Sequence, residues 1–224
     1  MDTMQLEINR IKREVQRLKD LHEVQDLMSR YFHWHAAGLH KDCYDRLFSH
    51  KANDVRVEIA NWGCWEGQDA VKNFYYKTLP LLEGDRKGQM YIHTLDTPCI
   101  QISGDGKTAK GVWFSPGHET ARTEGKLRAM WCWSYIGTDF IKEDGIWKIW
   151  HYHCYAMFKT PYERSWVEES IKPSLPTGAG SPVPPELGPN KPYTYFNEYT
   201  TDSVRELVPE PPEPYETFDP AKAY

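Results

Sequence analysis

The chain predicts an α+β fold, with helices packed on one face of a strongly curved, mostly antiparallel sheet. That arrangement makes a cone with room for a small ligand, followed by an extended C-terminal arm. Three patterns carry the reading. Apolar residues recur at helical spacing near the start, alternate with period two in four successive segments from about residue 90, and lose both periods beyond about residue 173, where prolines and glycines accumulate. Helices first and strands afterwards point to segregated layers rather than to alternating βαβ units.

Residues 5–36 read as one long helix. Ile8, Ile11, Val15, Leu18 and His22 make one stripe, and Leu21, Val24, Leu27, Met28 and Tyr31 continue as a second. Its charged start, residues 1–16, is expected to project beyond a domain spanning 17–160. Gly38 breaks the helix, Lys41–Phe48 forms a short second one, and Val55–Ile59 alternates as a strand. Trp62–Gly67 reads as a turn or bulge, and Gln68–Leu79 as a helix ended by Pro80. Strands then cover about 90–102, 107–118, 125–138 and 146–157, with turn signals at Gly104–Lys107 and Lys142–Gly145. Residues 161–224 are proline-rich yet keep many aromatics, which true disorder lacks, so they are expected to lie as an arm over a folded surface.

Composition narrows the function classes. A net charge of -5 disfavours nucleic acid, which needs a basic surface. Nothing approaches the 18 or so apolar residues of a membrane span. The 5 cysteines show no zinc-site spacing and read as reduced thiols of a cytoplasmic protein. Glycine-rich phosphate loops, G-x-S-x-G and H-E-x-x-H are absent, which removes the usual dinucleotide, ATP and serine-hydrolase chemistry but not metal use, since scattered histidines can converge; no cofactor and no metal are expected. The 9 tryptophans and 14 tyrosines suit an aromatic pocket or an interface.

The strand Trp147–Tyr155 places Trp147, Ile149, His151, His153 and Tyr155 on one face by strict alternation, a face that begins apolar and ends in two imidazoles. Those imidazoles stand roughly 7 Å apart, and two alone are weak evidence for a metal. On the opposite face, Trp150 and Tyr152 are expected to need cover from another subunit. His93 lies in a strand with Tyr91 and Leu95, where an imidazole can accept a proton near neutral pH. Tyr31 and His35 stack at four-residue spacing on the first helix.

Lys41–Phe48, His93–Ile102 with its Gly104–Ala109 hairpin, and Asp144–Ile149 follow one another in an order that resembles the SnoaL-like group of the NTF2-like superfamily, especially its scytalone-dehydratase-like branch. The resemblance implies a cone and cofactor-free elimination driven by a histidine, which matches His93, paired with an acid from the first helical region. Here that acid falls near Leu39 or His40, and a second family histidine falls near Trp133, so the usual pair is incomplete. The expected activity is a cofactor-independent lyase acting on a phenolic, lignin-derived diaryl compound, with loss of water or formaldehyde giving a conjugated alkene. The expected catalytic residues are His93, Tyr31, His35, His151 and His153; His40, Tyr44, Trp62, Trp65, Arg128, Trp133 and Tyr135 are expected to line the substrate site. The alternatives are a binding module for a small aromatic ligand, or a small subunit of a larger aromatic-degrading enzyme. A homodimer or homotrimer is expected in either case.

Overall fold

Helix α1 (Thr3–Ala36) runs uninterrupted because its sequence holds neither proline nor glycine. It stops at Gly38, whose positive φ of 75° suits a residue without a Cβ. Arg86 crosses directly over that glycine and donates from Nη2 to the Ala36 carbonyl at 2.7 Å, so a side chain at Gly38 would meet its guanidinium. This computed structural model describes residues 3–123, 126–170, 176–177 and 180–224. After α1 come α2 (His40–Asp42), which runs into a π-helical turn, β1 (Arg56–Ile59), β2 (Gly63–Glu66), α3 (Gln68–Asn73), a second π-helical turn and α4 (Leu79–Glu83). Then follow β3 (Met90–His93), β4 (Asp96–Ile102), β5 (Thr108–Thr123), β6 (Lys126–Glu143) and β7 (Ile146–Pro161).

Three local expectations change. Pro80 does not end its helix: it sits at the start of α4 directly after the second π-helical turn, and helix continues to Glu83. The single strand expected over 90–102 divides into β3 and β4. The expected turn at Trp62–Gly67 contains a real strand, β2, paired antiparallel with β1.

The larger correction concerns the cone. The sheet is mixed and open, in the order β2-β1-β7-β6-β5-β3, with β4 also on β5. One pair, β1 with β7, is parallel. The expected strongly curved sheet does not form, and among the described residues nothing hydrogen-bonds its two ends into a closed surface. A sheet curls on itself to hide an apolar face; here both faces are covered by other means. Helices cover one, burying Val24, Met28, Phe48, Phe74, Trp113, Phe140 and Ile149 in one cluster. Each such side chain contributes about 1.5–3 kcal/mol relative to exposure. The C-terminal arm crosses the other.

The arm is held by backbone and side-chain bonds alike. Lys191 pairs with Cys64, Tyr199 N–H donates to the Met157 carbonyl, and Gly104 and Asp105 donate to Tyr215 and Glu216. Phe218 lies on Trp150 with ring centroids 4.6 Å apart. Trp150 is therefore covered by this chain's own arm, and Tyr152 by α1, whose Tyr31 ring lies 5.0 Å from it. The expectation that another subunit covers these two residues does not hold.

One bulge reassigns the most distinctive strand. Phe140 pairs with Ile149 but Asp139 pairs with His151, so Trp150 is an extra residue in β7. An inserted residue reverses which side the following residues face. Trp147 and Ile149 join the helix-side core, whereas His151, His153 and Tyr155 turn to the arm side.

Candidate active site

On the helix side, four strands bring one cross-strand row together. His93 pairs with Gly117, Gly117 with Cys132, and Cys132 with Lys159; opposite residues in an antiparallel ladder share a face. Glu119, opposite Tyr91, lies one step along the same face. The His93 ring is able to lie over the ladder because Gly117 has no side chain: a Cβ there would run into the ring and into the Cys132 sulfur.

Glu119 is the hub. Its Oε1 accepts from His93 Nε2 at 3.3 Å and from the Cys132 thiol at 3.6 Å, while Oε2 accepts from Lys159 Nζ. Burial by itself pushes this carboxyl up, but the His93 hydrogen bond and the Lys159 ammonium outweigh it and hold Glu119 down at about 2. Glu119 is thus a fixed carboxylate. Donation from Nε2–H to it leaves Nδ1 as the basic nitrogen of His93, the tautomer that a general base requires. His93 keeps 21% of its side chain exposed, enough for a reacting group to reach it.

From α1, His35 comes close enough to His93 to feel its charge, and Tyr31 stacks behind His35. Their rings are parallel, with centroids 5.8 Å apart. Tyr31 shares a 2.8 Å hydrogen bond with Tyr75, and burial raises its phenol well above the ordinary range. Burial, and next the charge of His40, push His35 down to about 3, so its ring is neutral at physiological pH. Its Nδ1 is buried without a hydrogen-bond partner. His40 Nε2 donates to Glu83 at 2.8 Å, and Arg86 donates to the same carboxylate oxygen. Burial would raise the Glu83 carboxyl, but His40 and Arg86 lower it below the usual range. An open hollow of about 500 Å³ lies over Glu83, bordered by Leu82, Gln89 and Arg122.

The other expected residues are dispersed. His151 and His153 belong to a separate buried network under the arm. There Asp139 accepts from His151 Nδ1 at 2.8 Å, from Lys110 Nζ and from the Tyr224 backbone N–H. Glu58 accepts from Thr194 and lies 3.1 Å from His153 Nε2, off the hydrogen-bond axis. Burial pushes His153 down to about 3. Tyr135 lines a second cavity of about 200 Å³ between Val112, Phe114 and the arm residues Leu207–Pro209. Trp65 is core, its Nε1 donating to the Leu187 carbonyl; Tyr44 donates to Gln68; Trp62 is half-buried. Arg128 and Trp133 are exposed.

Sequence reasoning missed Glu119, Cys132, Lys159, Glu83 and Arg86. Glu119 had a readable signal, a carboxylate two residues beyond Gly117 in an alternating stretch, but the strand was expected to end at 118. His93, Glu119 and Cys132 also place their ligand atoms within 4.8 Å of one another, a spacing open to a metal ion. Two features oppose a cation: Lys159 already neutralises Glu119, and burial, the largest influence, raises the Cys132 thiol well above its ordinary value, keeping it protonated.

The SnoaL-like domain family matches residues 16–153. Comparison with curated proteins finds no match. Among solved structures, a protein described as a type 2 hexachlorocyclohexane dehydrochlorinase (LinA) is 15% identical, covering 71% of this chain and 97% of its own, with a TM-score of 0.55. A protein assigned as a scytalone dehydratase from Novosphingobium aromaticivorans is 16% identical over 73% of this chain and 97% of its own, TM-score 0.52. Another from that organism, assigned as an aromatic ring hydroxylase, is 17% identical over 64% and 94%, TM-score 0.51. At such identities the likeness establishes the fold. Among the described residues no helix is long and apolar enough to cross a membrane.

Proposed function

The chain belongs to the SnoaL-like family, and from that premise we propose that it is a cofactor-independent lyase acting on a phenolic, lignin-derived compound with a benzylic hydroxyl. The observation that carries the reading is the His93–Glu119 pair, a base oriented by a buried carboxylate. The solved structures with this fold include proteins described as a dehydrochlorinase and a dehydratase, names that denote eliminations. His93 Nδ1 takes the proton from carbon, or from a neighbouring hydroxymethyl group when formaldehyde leaves. The electron pair forms the alkene, and the benzylic C–O bond breaks with a proton delivered to the departing oxygen. Tyr31, protonated at all physiological pH, is the donor we assign; His35, held neutral by burial and with an unengaged Nδ1, has no acidic proton to give and is limited to hydrogen bonding. Developing charge on His93 is met by Glu119, so the site itself supplies the compensation. His151 and His153, assigned to the arm side, have no part in this step.

The test is turnover of a phenolic benzylic alcohol library by metal-depleted protein, read as ultraviolet absorbance of the alkene and as released formaldehyde. His93→Gln should lower turnover by about a hundredfold or more. Equal rates in both proteins, or turnover that appears only on adding metal or flavin, refute the reading. A second reading, a module that only binds an aromatic ligand, draws on the cavity beside Tyr135. At about 200 Å³ that cavity is smaller than the roughly 300–1,000 Å³ of ordinary ligand pockets. Tight binding that is lost on Tyr135→Ala, with no product formed, is the outcome that favours it.

A further inference from the structure

Helix α1 carries two apolar stripes, and the body uses one of them. The residues that bury against it are Asp20, Val24, Leu27, Met28 and Tyr31. Before Asp20 the helix stands clear: every residue from Thr3 to Lys19 is exposed except half-buried Asn9, and Arg17 reaches back to Gln101. On this free part Ile8, Ile11, Val15 and Leu18 are exposed by 39%, 51%, 44% and 65%. Their spacing of three, four and three residues is that of a heptad seam, with Ile8 and Val15 at the a positions and Ile11 and Leu18 at d. Met4 continues the spacing on one side and His22 on the other. At about 100° per residue, the centre of this stripe lies roughly 180° around the helix from the residues that pack on the body. The seam therefore cannot fold back on its own domain.

We propose that this segment is a parallel two-stranded coiled coil with a second copy of the same chain. The flanking charges choose the partner and the direction. With Ile8 at a, the g positions are Glu7 and Glu14, and the e positions are Lys12 and Lys19. In a parallel, in-register pair each g residue faces the e residue five positions later on the other helix. Glu7 then meets Lys12 and Glu14 meets Lys19 of the second copy, so all four interhelical contacts are between opposite charges. An antiparallel pair would set glutamate against glutamate and lysine against lysine. Ile8 and Val15 at a with Leu18 at d follow the two-stranded preference, which Ile11 at the other d position does not share, so the choice of two strands rests on the pairing of the flanking charges as well. Glu7 holds Arg10 in the free helix, but that pair is exposed and weak, leaving the carboxylate able to turn to the second copy. Because the bodies attach on the side away from the seam, they sit on opposite flanks of the paired helices and do not compete for the same space.

The experiment uses the full chain in sedimentation equilibrium at micromolar to tens of micromolar concentration. Wild type should be a dimer. The double variant Ile11→Asp with Leu18→Asp, both at exposed positions, should dissociate at least about 30-fold more readily, the loss expected when a buried apolar contact is removed. Near-ultraviolet circular dichroism should stay unchanged, showing an intact body. Glu7→Lys with Glu14→Lys should be monomeric alone, as should Lys12→Glu with Lys19→Glu, and an equimolar mixture of the two should restore the dimer. A monomeric wild type overturns the proposal, as does a dimer that survives the seam variant. Charge variants that are not rescued by mixing overturn the parallel pairing.

Discussion

Replacing Glu119 with glutamine removes one charge and little else. Glutamine matches its volume and still accepts a hydrogen bond from His93, but it cannot neutralise Lys159 or stabilise an imidazolium. The magnitude follows from how far the pairing lowers the carboxyl. Glu119 sits at about 2, against 4.5 for an ordinary glutamate, a difference worth about 3 kcal/mol. The folded protein holds this proton less tightly than the unfolded chain does. Between those two pKa values the unfolded chain therefore binds more protons, and stability rises with pH. The contribution is complete above the ordinary value of 4.5 and lost as pH falls through about 2. Urea unfolding of both proteins across the acid range isolates it, because all other carboxylates cancel in the difference. From pH 3 to pH 6 the wild-type advantage should grow by about 2 kcal/mol and then level off, with equal m-values. Stability curves that run parallel over this interval would show that Glu119 is not a buried, paired carboxylate, and the proposed orientation of His93 would fall with it.

Two further outcomes follow from neighbouring contacts. Gly117→Ala places a methyl group against the His93 ring and the Cys132 sulfur; it should cost about 1–3 kcal/mol in thermal or urea unfolding and depress turnover by displacing the proposed base, whereas unchanged turnover would place the reacting nitrogen elsewhere. Asp139→Asn leaves Lys110 without its counter-charge and weakens the Tyr224 anchor; limited proteolysis should then cut within residues 191–224 faster than in wild type, alongside a stability loss of about 3–5 kcal/mol. An arm as resistant as that of wild type would show that it is held by its aromatic contacts instead.

Much of the local architecture was legible. The break at Gly38, the turns at Gly104–Lys107 and Lys142–Gly145, and the strand at Val55–Ile59 all depend on backbone preferences of the residues themselves, and they appear where those preferences put them. Of the proposed site, His93 was the part that could be read, as an imidazole in a short strand. Its acid was not, because Glu119 lies 26 residues away and is adjacent only through the β3–β5 register.

By itself the sequence determined the element types, the helical layer before the strands, and the two stripes of α1, since each follows from periodicity and turn chemistry within a few residues. Only the tertiary structure decided that the sheet stays open with one parallel pair, that Trp150 bulges, and that His151 and His153 therefore face the arm rather than the site. The physical reason is the two-residue period of a strand. One inserted residue exchanges its faces, and whether a residue is inserted is settled by pairing with a partner strand, a long-range term that no local pattern contains.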